Sequence, residues 1–518
     1  MKEEDAHCTS SWTRMLWAFI KRMLHFTVPP PPPTSKWLDG TGSNGNNAPP
    51  PTPAHVILKV HEHDEQSAAA PADETPPAAL RTAPSCEEGG AGAQDGPSPP
   101  RSAAPPQTQP SAPRALAAAQ PYVTRQYVIG GLTFEVDTRY AIKAVIGKGA
   151  YGLVCAADDT LAGVGHDENG GAEAQAAPSK VAVKKILDPF HDHTDSKRLL
   201  REVRLLRCLR HPNVLHLLDL MPPPTLSPDN WRDVYLVTRL FDTNLHRVIY
   251  SGQPLTDPHV QYILWQLFRA LRYLHAGGVI HRDMKPTNLL LNRDCELALA
   301  DFGLARYMPQ LTERRSSMAI NDEQPRGKSG QLTKYVVTRW YRAPELLVQN
   351  RKYDAKVDMW SVGCILAEVI GAKAIFPGKD SLHQLKIIVE TMGTPAPSEL
   401  AVIENEQAVN YIKSLKQKES SLNKTARQRL MSLYPKAEPA LLDLLSQLLQ
   451  FDPAKRPTAA EALAHPYLAA YRDAPEEDLP TPEIEMDFET ASPTKEELRQ
   501  LVFEEVLRYH PELQNTRV

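Results

Sequence analysis

The spacing of apolar residues changes character three times along the chain. Structure is expected from near Gln126, and the run TFEVDTRYAIKAVIGKGAYGLVCAA from Thr133 alternates apolar and polar positions with the period of two that strands require, around Gly147, Gly149 and Gly152. VAVKK continues the strand pattern, and the Ala-, Gly- and acid-rich stretch from Leu161 to Pro178 reads as a surface loop inserted in a strand connection. Over Ser196–Leu209 the apolar spacing becomes helical, with Glu202 on the helix, and DVYLVTRLF (233–241) reads as a buried strand. From Pro258 the pattern is mostly helical, and VQYILWQLFRALRYLHAGG ends on Gly277–Gly278, a helix stop.

Residues 1–125 lack such a pattern. Of the 47 prolines, 20 fall between Pro29 and Pro113, among Ala, Ser, Gly and Gln. A segment of that composition buries too little apolar surface to offset its ordering entropy, and it is expected to be disordered. Within it, Trp12, Met15, Leu16, Phe19, Ile20 and Met23 recur at helical spacing beside Arg14, Lys21 and Arg22. This predicts a basic amphipathic helix over 11–27, suited to an anionic membrane, a partner, or its own folded domain. HVILKV (55–60) is a second, strand-like island, and the proline runs serve as spacers or as polyproline II ligands.

Length and charge narrow the classes. A chain of 518 residues exceeds one core and predicts a large two-lobed domain with additional segments. A net charge of -4 argues against general nucleic-acid binding. The six cysteines are scattered without a CxxC pair, which argues against zinc and disulfides and for a reducing cytoplasm or nucleus. No run of about 18 apolar residues exists to span a membrane.

The chemistry concentrates in Gly278–Arg306, GVIHRDMKPTNLLLNRDCELALADFGLAR. Asp283 can orient a substrate hydroxyl and accept its proton, Lys285 can touch a transferring phosphate, and Asn288 and Asp301 can give oxygens to magnesium. HRDMKPTN and DFG resemble the catalytic and metal loops of eukaryotic protein kinases. The resemblance implies an α+β, bilobal fold with a β-rich lobe over 126–240, a helical lobe over 241–468, and a docking or extension segment over 469–518. It further implies ATP and Mg2+ as cofactors, with Ile146, Gly147, Gly149, Gly152, Val154, Lys184, Glu202, Thr238 and Phe241 around the nucleotide. Lys184 would pair with Glu202 in the active state, and Thr238 would guard the rear of the adenine slot.

LTKYVVTRWYRAPE, VDMWSVGCILAE (357–368), IFPGKDSLHQLKII (375–388), FDPAKRPTAAEALAHPYL (451–468) and KEELRQLVFEE (495–505) narrow the resemblance to MAP kinases of the extracellular-signal-regulated branch. That implies a serine/threonine kinase acting on Ser-Pro and Thr-Pro sites and activated by phosphorylation of Thr333 and Tyr335. Arg198, Arg201, Arg282 and Arg306 match the phosphothreonine clamp, and Arg339 and Arg342 the phosphotyrosine positions. Asp473 and Glu476 match an acidic docking groove for substrates, an upstream MAP kinase kinase and phosphatases. In this chain Thr52, Thr75, Ser98 and Ser492 precede proline, and Thr52 in PPTP is a candidate for autophosphorylation.

Three positions depart from the family. Lys334 separates Thr333 and Tyr335 where relatives have Glu, Pro, Gly or Asp. The stretch Met308–Gly330 is long, with Arg314, Arg315, Arg326 and Lys328 beside Ser316 and Ser317. Asn244 stands where relatives carry an aspartate that meets the ribose. A kinase-fold scaffold acting only through docking is the alternative, and the presence of Lys184, Asp283 and Asp301 argues against it.

Overall fold

The computed structural model describes residues 122–149, 152–161, 179–253, 255–308, 339–415, 424–472 and 482–516. The expected tail, the helix over 11–27, most of the loops after Leu161 and Met308, the phosphoacceptors Thr333 and Tyr335, and the docking residues Asp473 and Glu476 lie outside them.

The small lobe begins with a turn that only glycine makes easily. Gly130 and Gly131 take φ of 57° and 78°, so β1 (Thr124–Ile129) reverses into β2 (Leu132–Asp137) through a two-residue loop whose twist suits a hairpin. Strand structure therefore starts at Thr124, slightly before the alternation becomes clear in the sequence. Next comes an antiparallel five-stranded sheet of β3 (Tyr140–Gly149), β4 (Gly152–Asp159), β5 (Ser179–Ile186), β6 (Leu217–Leu220) and β7 (Val234–Arg239), in the order β3-β4-β5-β7-β6. β4 alternates buried and half-buried positions without a break, which pins its register against both neighbours. Phe134, Val136, Ile142, Leu153, Cys155 and Val183 form the core under β1 and β2.

Helix α1 (His193–Cys208) packs its apolar residues, Leu199, Leu200, Val203 and Leu206 among them, into the main core. It starts three residues before Ser196 because the Asp192 carboxylate accepts from the amides of Thr194 at 2.8 Å and Asp195 at 3.2 Å. Ser196 is buried instead, its hydroxyl donating to the carbonyl of Pro189 at 3.0 Å.

The large lobe follows through β8 (Thr243–Asn244), α2 (Leu245–Ile249) and α3 (Asp257–Ala276). Short strands β9 (Val279–Ile280), β10 (Leu289–Leu291), β11 (Leu297–Leu299) and β12 (Arg306–Tyr307) frame the two polar loops. Helix α4 (Lys356–Gly371) is buried almost all round, as expected for a helix apolar on every face. Each fully buried large residue on it, such as Trp360, contributes about 1.5–3 kcal/mol. Helices α5 (Ser381–Met392), α6 (Glu406–Ser414), α7 (Ala426–Leu433) and α8 (Pro439–Leu448) complete the lobe.

The C-terminal segment does more than extend the domain. Residues 482–516, including α9 (Lys495–Tyr509), return to the small lobe, and α9 packs on α1. Glu505 on α9 sits 3.0 Å from Arg204 and 2.7 Å from Arg207, while Phe503 meets the edge of Trp231. The sequence predicts a docking or extension segment over 469–518, and its return onto α1 is not legible there.

Candidate active site

Lys184 on β5 and Glu202 on α1 form an ion pair at 2.6 Å, with Glu202 almost wholly buried. Burial pushes the Glu202 carboxyl up, and Lys184 opposes that shift. The same ammonium acts on Asp301. Burial works against the Asp301 charge as well, but Lys184 and Lys285 outweigh it and hold that carboxyl below its usual range. One cation thus links the helix of the small lobe to the loop of the large one.

Asp301 adopts φ of 69°, an unusual conformation for a residue with a side chain, and Arg282 does the same at 65°. Such strain persists where the surroundings over-determine it. For Arg282 the surroundings are visible: Asp358, fully buried at the start of α4, accepts from the amides of His281 at 2.9 Å and Arg282 at 2.8 Å, and from His275 Nε2 at 3.0 Å. His281 in turn donates to the carbonyl of Ala300 at 3.0 Å, next to Asp301. Asp358 stood in a motif string without a role. The sequence signal was an acid in the first turn of a mostly apolar helix.

Asp283 is buried beside Lys285, whose ammonium lies 2.5 Å from Oδ2. Burial raises the Asp283 carboxyl, Lys285 lowers it, and the nearby Asp301 raises it again. Asn288 donates its amide to the Asp283 carbonyl at 2.9 Å, which leaves the Asn288 oxygen as its group for a cation. Asn288 and Asp301 thereby offer two hard oxygens, a set that fits a divalent metal sharing its shell with nucleotide phosphates. Among the described residues no cluster of three His, Cys, Asp or Glu side chains forms a self-sufficient metal cage.

Of the residues expected around the nucleotide, Ile146, Gly147, Gly149, Gly152, Val154, Lys184 and Thr238 lie on β3, β4, β5 and β7. Gly147 pairs with Val154, and Gly149 with Gly152, at the turn between β3 and β4. Gly152 has a stricter reason than phosphate access: at φ 151° a Cβ there would lie 1.8 Å from the Lys185 carbonyl oxygen. Thr238 is buried in β7 opposite Ala182. Phe241 is covered by the guanidinium of Arg239. Ile146 accepts at its carbonyl from Arg247 of α2 at 3.1 Å. Asn244 caps α2, its Oδ1 accepting from the Arg247 amide at 3.0 Å, so that oxygen already has a structural use.

The expected phosphate clamps are partly assembled. Burial, together with the charges of Arg306 and Arg282, lowers Arg201, while Glu489 opposes them, so these three guanidinium groups share one field. Arg342 feels both Arg339 and Arg282. Arg198 instead donates to Asp195 on its own helix at 3.2 Å. Arg201 has a partner already: Nε donates to Glu489 of the strap at 2.5 Å, and its other end to the Gly303 carbonyl at 2.8 Å. Glu489 was not foreseen. A second buried pair, Arg456 with Glu345 at 2.6 Å, ties FDPAKRP to YRAPE and was also unanticipated.

Comparison with known proteins bears on this geometry. A family profile described as "Protein kinase domain" matches residues 140–468. An "Extracellular signal-regulated kinase 1" of Dictyostelium discoideum is 40% identical over 74% of this chain and 65% of its own length. A "Mitogen-activated protein kinase 6" of Oryza sativa subsp. japonica is 42% identical over 74% of this chain and 92% of its own. A "Mitogen-activated protein kinase 4" of Arabidopsis thaliana is 40% identical over 75% and 92%.

Proposed function

The chain belongs to the protein kinase family as a MAP-kinase-like serine/threonine kinase, and we propose that it is proline-directed, transferring the ATP γ-phosphate to Ser-Pro and Thr-Pro sites. The observation that carries the catalytic part is the placement of Asp283, Lys285 and Asn288 beside Asp301 and the Lys184–Glu202 pair.

In this reading Lys184, held by Glu202, grips the nucleotide phosphates. Asp283 orients the substrate hydroxyl and takes its proton as the oxygen attacks. Burial brings its carboxyl nearer to neutral pH, where a general base works best. Lys285 follows the moving phosphoryl group. The divalent metal, Mg2+ in this proposal, supplies charge neutralisation on the phosphates when bound, with Asn288 and Asp301 as its protein oxygens. Asp358 fixes the loop so that Asp283 need not reorganise.

Regulation follows from the arginine cluster. Phosphorylation of Thr333 by an upstream kinase brings close to two negative charges to Arg201, Arg282 and Arg306, and phosphorylation of Tyr335 engages Arg339 and Arg342. Lys334 then sets which activator reads the lip. Asp473 and Glu476 serve basic docking peptides of substrates, activators and phosphatases, and the helix over 11–27 contacts a membrane or a partner. The proposed location is the cytoplasm, the nucleus or both.

The test compares a Ser-Pro peptide with its Ser-Ala counterpart, using the full chain and its Lys184→Ala and Asp283→Ala variants with Mg-ATP. The expectation is selective labelling of the Ser-Pro peptide and a loss of at least about 100-fold in each variant. Equal labelling by all three proteins would sink the catalytic reading, and equal labelling of both peptides the proline-directed one.

A further inference from the structure

The strap that reaches Arg201 also carries Ser492, which the site described above does not use. Ser492 lies between the turn Asp487–Glu489 and α9, in a stretch without regular structure. It is exposed together with Thr490, Ala491 and Thr494, and its hydroxyl has no hydrogen-bond partner among the described residues. Pro493 follows it and biases Ser492 toward the extended backbone that a peptide needs to lie in a cleft.

The other two Ser-Pro or Thr-Pro steps among the described residues have contacts that Ser492 lacks. Ser227 donates its hydroxyl to Asp229 at 3.1 Å and accepts from the Asp229 amide at 3.2 Å, directly after Leu226 at φ 51°. Thr394 follows Gly393 at φ 104° and has contacts of its own.

We propose that Ser492 is a phosphorylation site and that a second copy of this chain is the kinase that fills it. This rests on the proline-directed reading. A second copy is required because the strap is tied on both sides of the serine. Arg201 holds Glu489 at 2.5 Å, His193 donates to the Pro493 carbonyl at 2.8 Å, and Lys495 donates to the His191 carbonyl at 3.3 Å. Those ties keep Ser492 at α1 and away from its own Asp283.

In the transfer, the Ser492 hydroxyl oxygen forms a bond to the γ-phosphorus of ATP while the bond from that phosphorus to the β-γ bridging oxygen breaks. ADP leaves with the electron pair, and the hydroxyl proton passes to the catalytic aspartate of the acting copy and then to water. The product places close to two negative charges three residues from Glu489, where the strap is tied to the helix that bears Glu202.

The test uses the full chain in a preparation that phosphorylates casein, mixed with full-length Asp283→Ala chain and Mg-ATP. The Asp283→Ala chain serves only as substrate, so phosphate found on it came from another molecule. The Asp283→Ala chain and its blank, the double variant Asp283→Ala/Ser492→Ala, carry an affinity tag and are separated from the untagged active chain before mass spectrometry reads position 492 of each, and the Ser-Pro and Ser-Ala peptides run in parallel. The expected result is phosphate at Ser492 of the Asp283→Ala chain, complete loss in the blank, and labelling of the Ser-Pro peptide alone. Labelling of the Ser-Pro peptide while Ser492 stays bare overturns the inference and leaves the proline-directed reading standing. If both peptides are labelled alike, that reading falls, and phosphate at Ser492 decides the site by itself. Phosphate on Ser492 of the active chain but never on the Asp283→Ala chain overturns transfer between copies.

Discussion

Arg201 and Glu489, 288 residues apart in sequence, meet at 2.5 Å with the arginine side chain 5% exposed. The pair joins the helix carrying Glu202 to the C-terminal strap, and the same guanidinium donates to Gly303 in the loop of Asp301. Removing one member of a buried pair leaves the other charge without its complement, which costs about 3–5 kcal/mol in full burial. Glu489 is 24% exposed, so water recovers part of that loss.

Glu489→Ala should therefore lower unfolding stability by about 1–3 kcal/mol, and Glu489→Gln by less. Urea denaturation of the full chain reads both. A change within error for Glu489→Ala would show that the strap contributes nothing through this contact.

Asp358 allows a pH prediction. Burial disfavours its charge, but the hydrogen bond and charge of His275, with the backbone donors, outweigh burial and leave the carboxyl depressed. A depressed carboxyl contributes stability that is present above its unfolded value of about 4 and is lost as pH falls through the lower folded value. Asp358→Asn should flatten the acid limb of the stability curve below about pH 4, and also cost about 2–4 kcal/mol near neutrality, since a carboxamide offers one acceptor to three donors. Denaturation midpoints collected from pH 3 to 7 for both proteins check the slope and the offset together.

Much of this could be read in the sequence wherever a short motif carries its own chemistry. Asp283, Lys285, Asn288 and Asp301 lie within one stretch of chain, and residue type with spacing places them in one site. Glu202 was recognisable because Lys184 and the helical pattern around it constrain what it can meet. Contacts that bridge distant segments were not legible. Nothing near Glu489 or Glu505 in sequence announces Arg201 or Arg204, because an exposed acid and a strap acid look alike until the chain has folded back. Asp358 lies between these cases, betrayed only by its apolar company. Asn244 shows a residue whose departure from relatives was visible but whose use, capping α2, depended on the backbone around it.

Gly152 is expected beside the nucleotide, and the structure gives a second constraint that separates the two roles. Gly152→Ala would put a Cβ into the Lys185 carbonyl, a backbone group that cannot swing aside, at a φ unfavourable for any side chain. The variant should lose sheet register between β4 and β5, the strand of Lys184, and so lower stability as well as ATP affinity. Gly149→Ala has no neighbour closer than 3.9 Å, and it should keep wild-type stability whatever happens to nucleotide binding. Thermal unfolding without nucleotide distinguishes them; equal melting of Gly152→Ala and wild type would refute the backbone role.

His510 gives the strap a pH dependence opposite in sign to that of Asp358. Its Nε2 donates to Asp219 of β6 at 2.8 Å, its Nδ1 faces Glu512 at 3.2 Å, and Asp219 also accepts from the Tyr140 hydroxyl at 2.7 Å. Burial alone would lower the imidazole, but Asp219 and then Glu512 outweigh it, and the net shift is upward. A group raised above its unfolded value of about 6.5 contributes stability that is fully present below that value and lost as pH rises through the folded one. The wild-type chain should thus lose stability on going from about pH 6 to the alkaline side of the His510 titration. His510→Gln should be less stable than wild type at pH 6, by about 1.5–3 kcal/mol for a hydrogen bond to a charged group, with the gap narrowing as pH rises. Because α9 packs on α1, the protection of the amides along Lys495–Tyr509, taken relative to their intrinsic exchange rate at each pH, should fall as pH rises in the wild type and change less in His510→Gln. A gap between the two proteins that stays constant from pH 6 to 9 would show that His510 acts by packing and not by its charge.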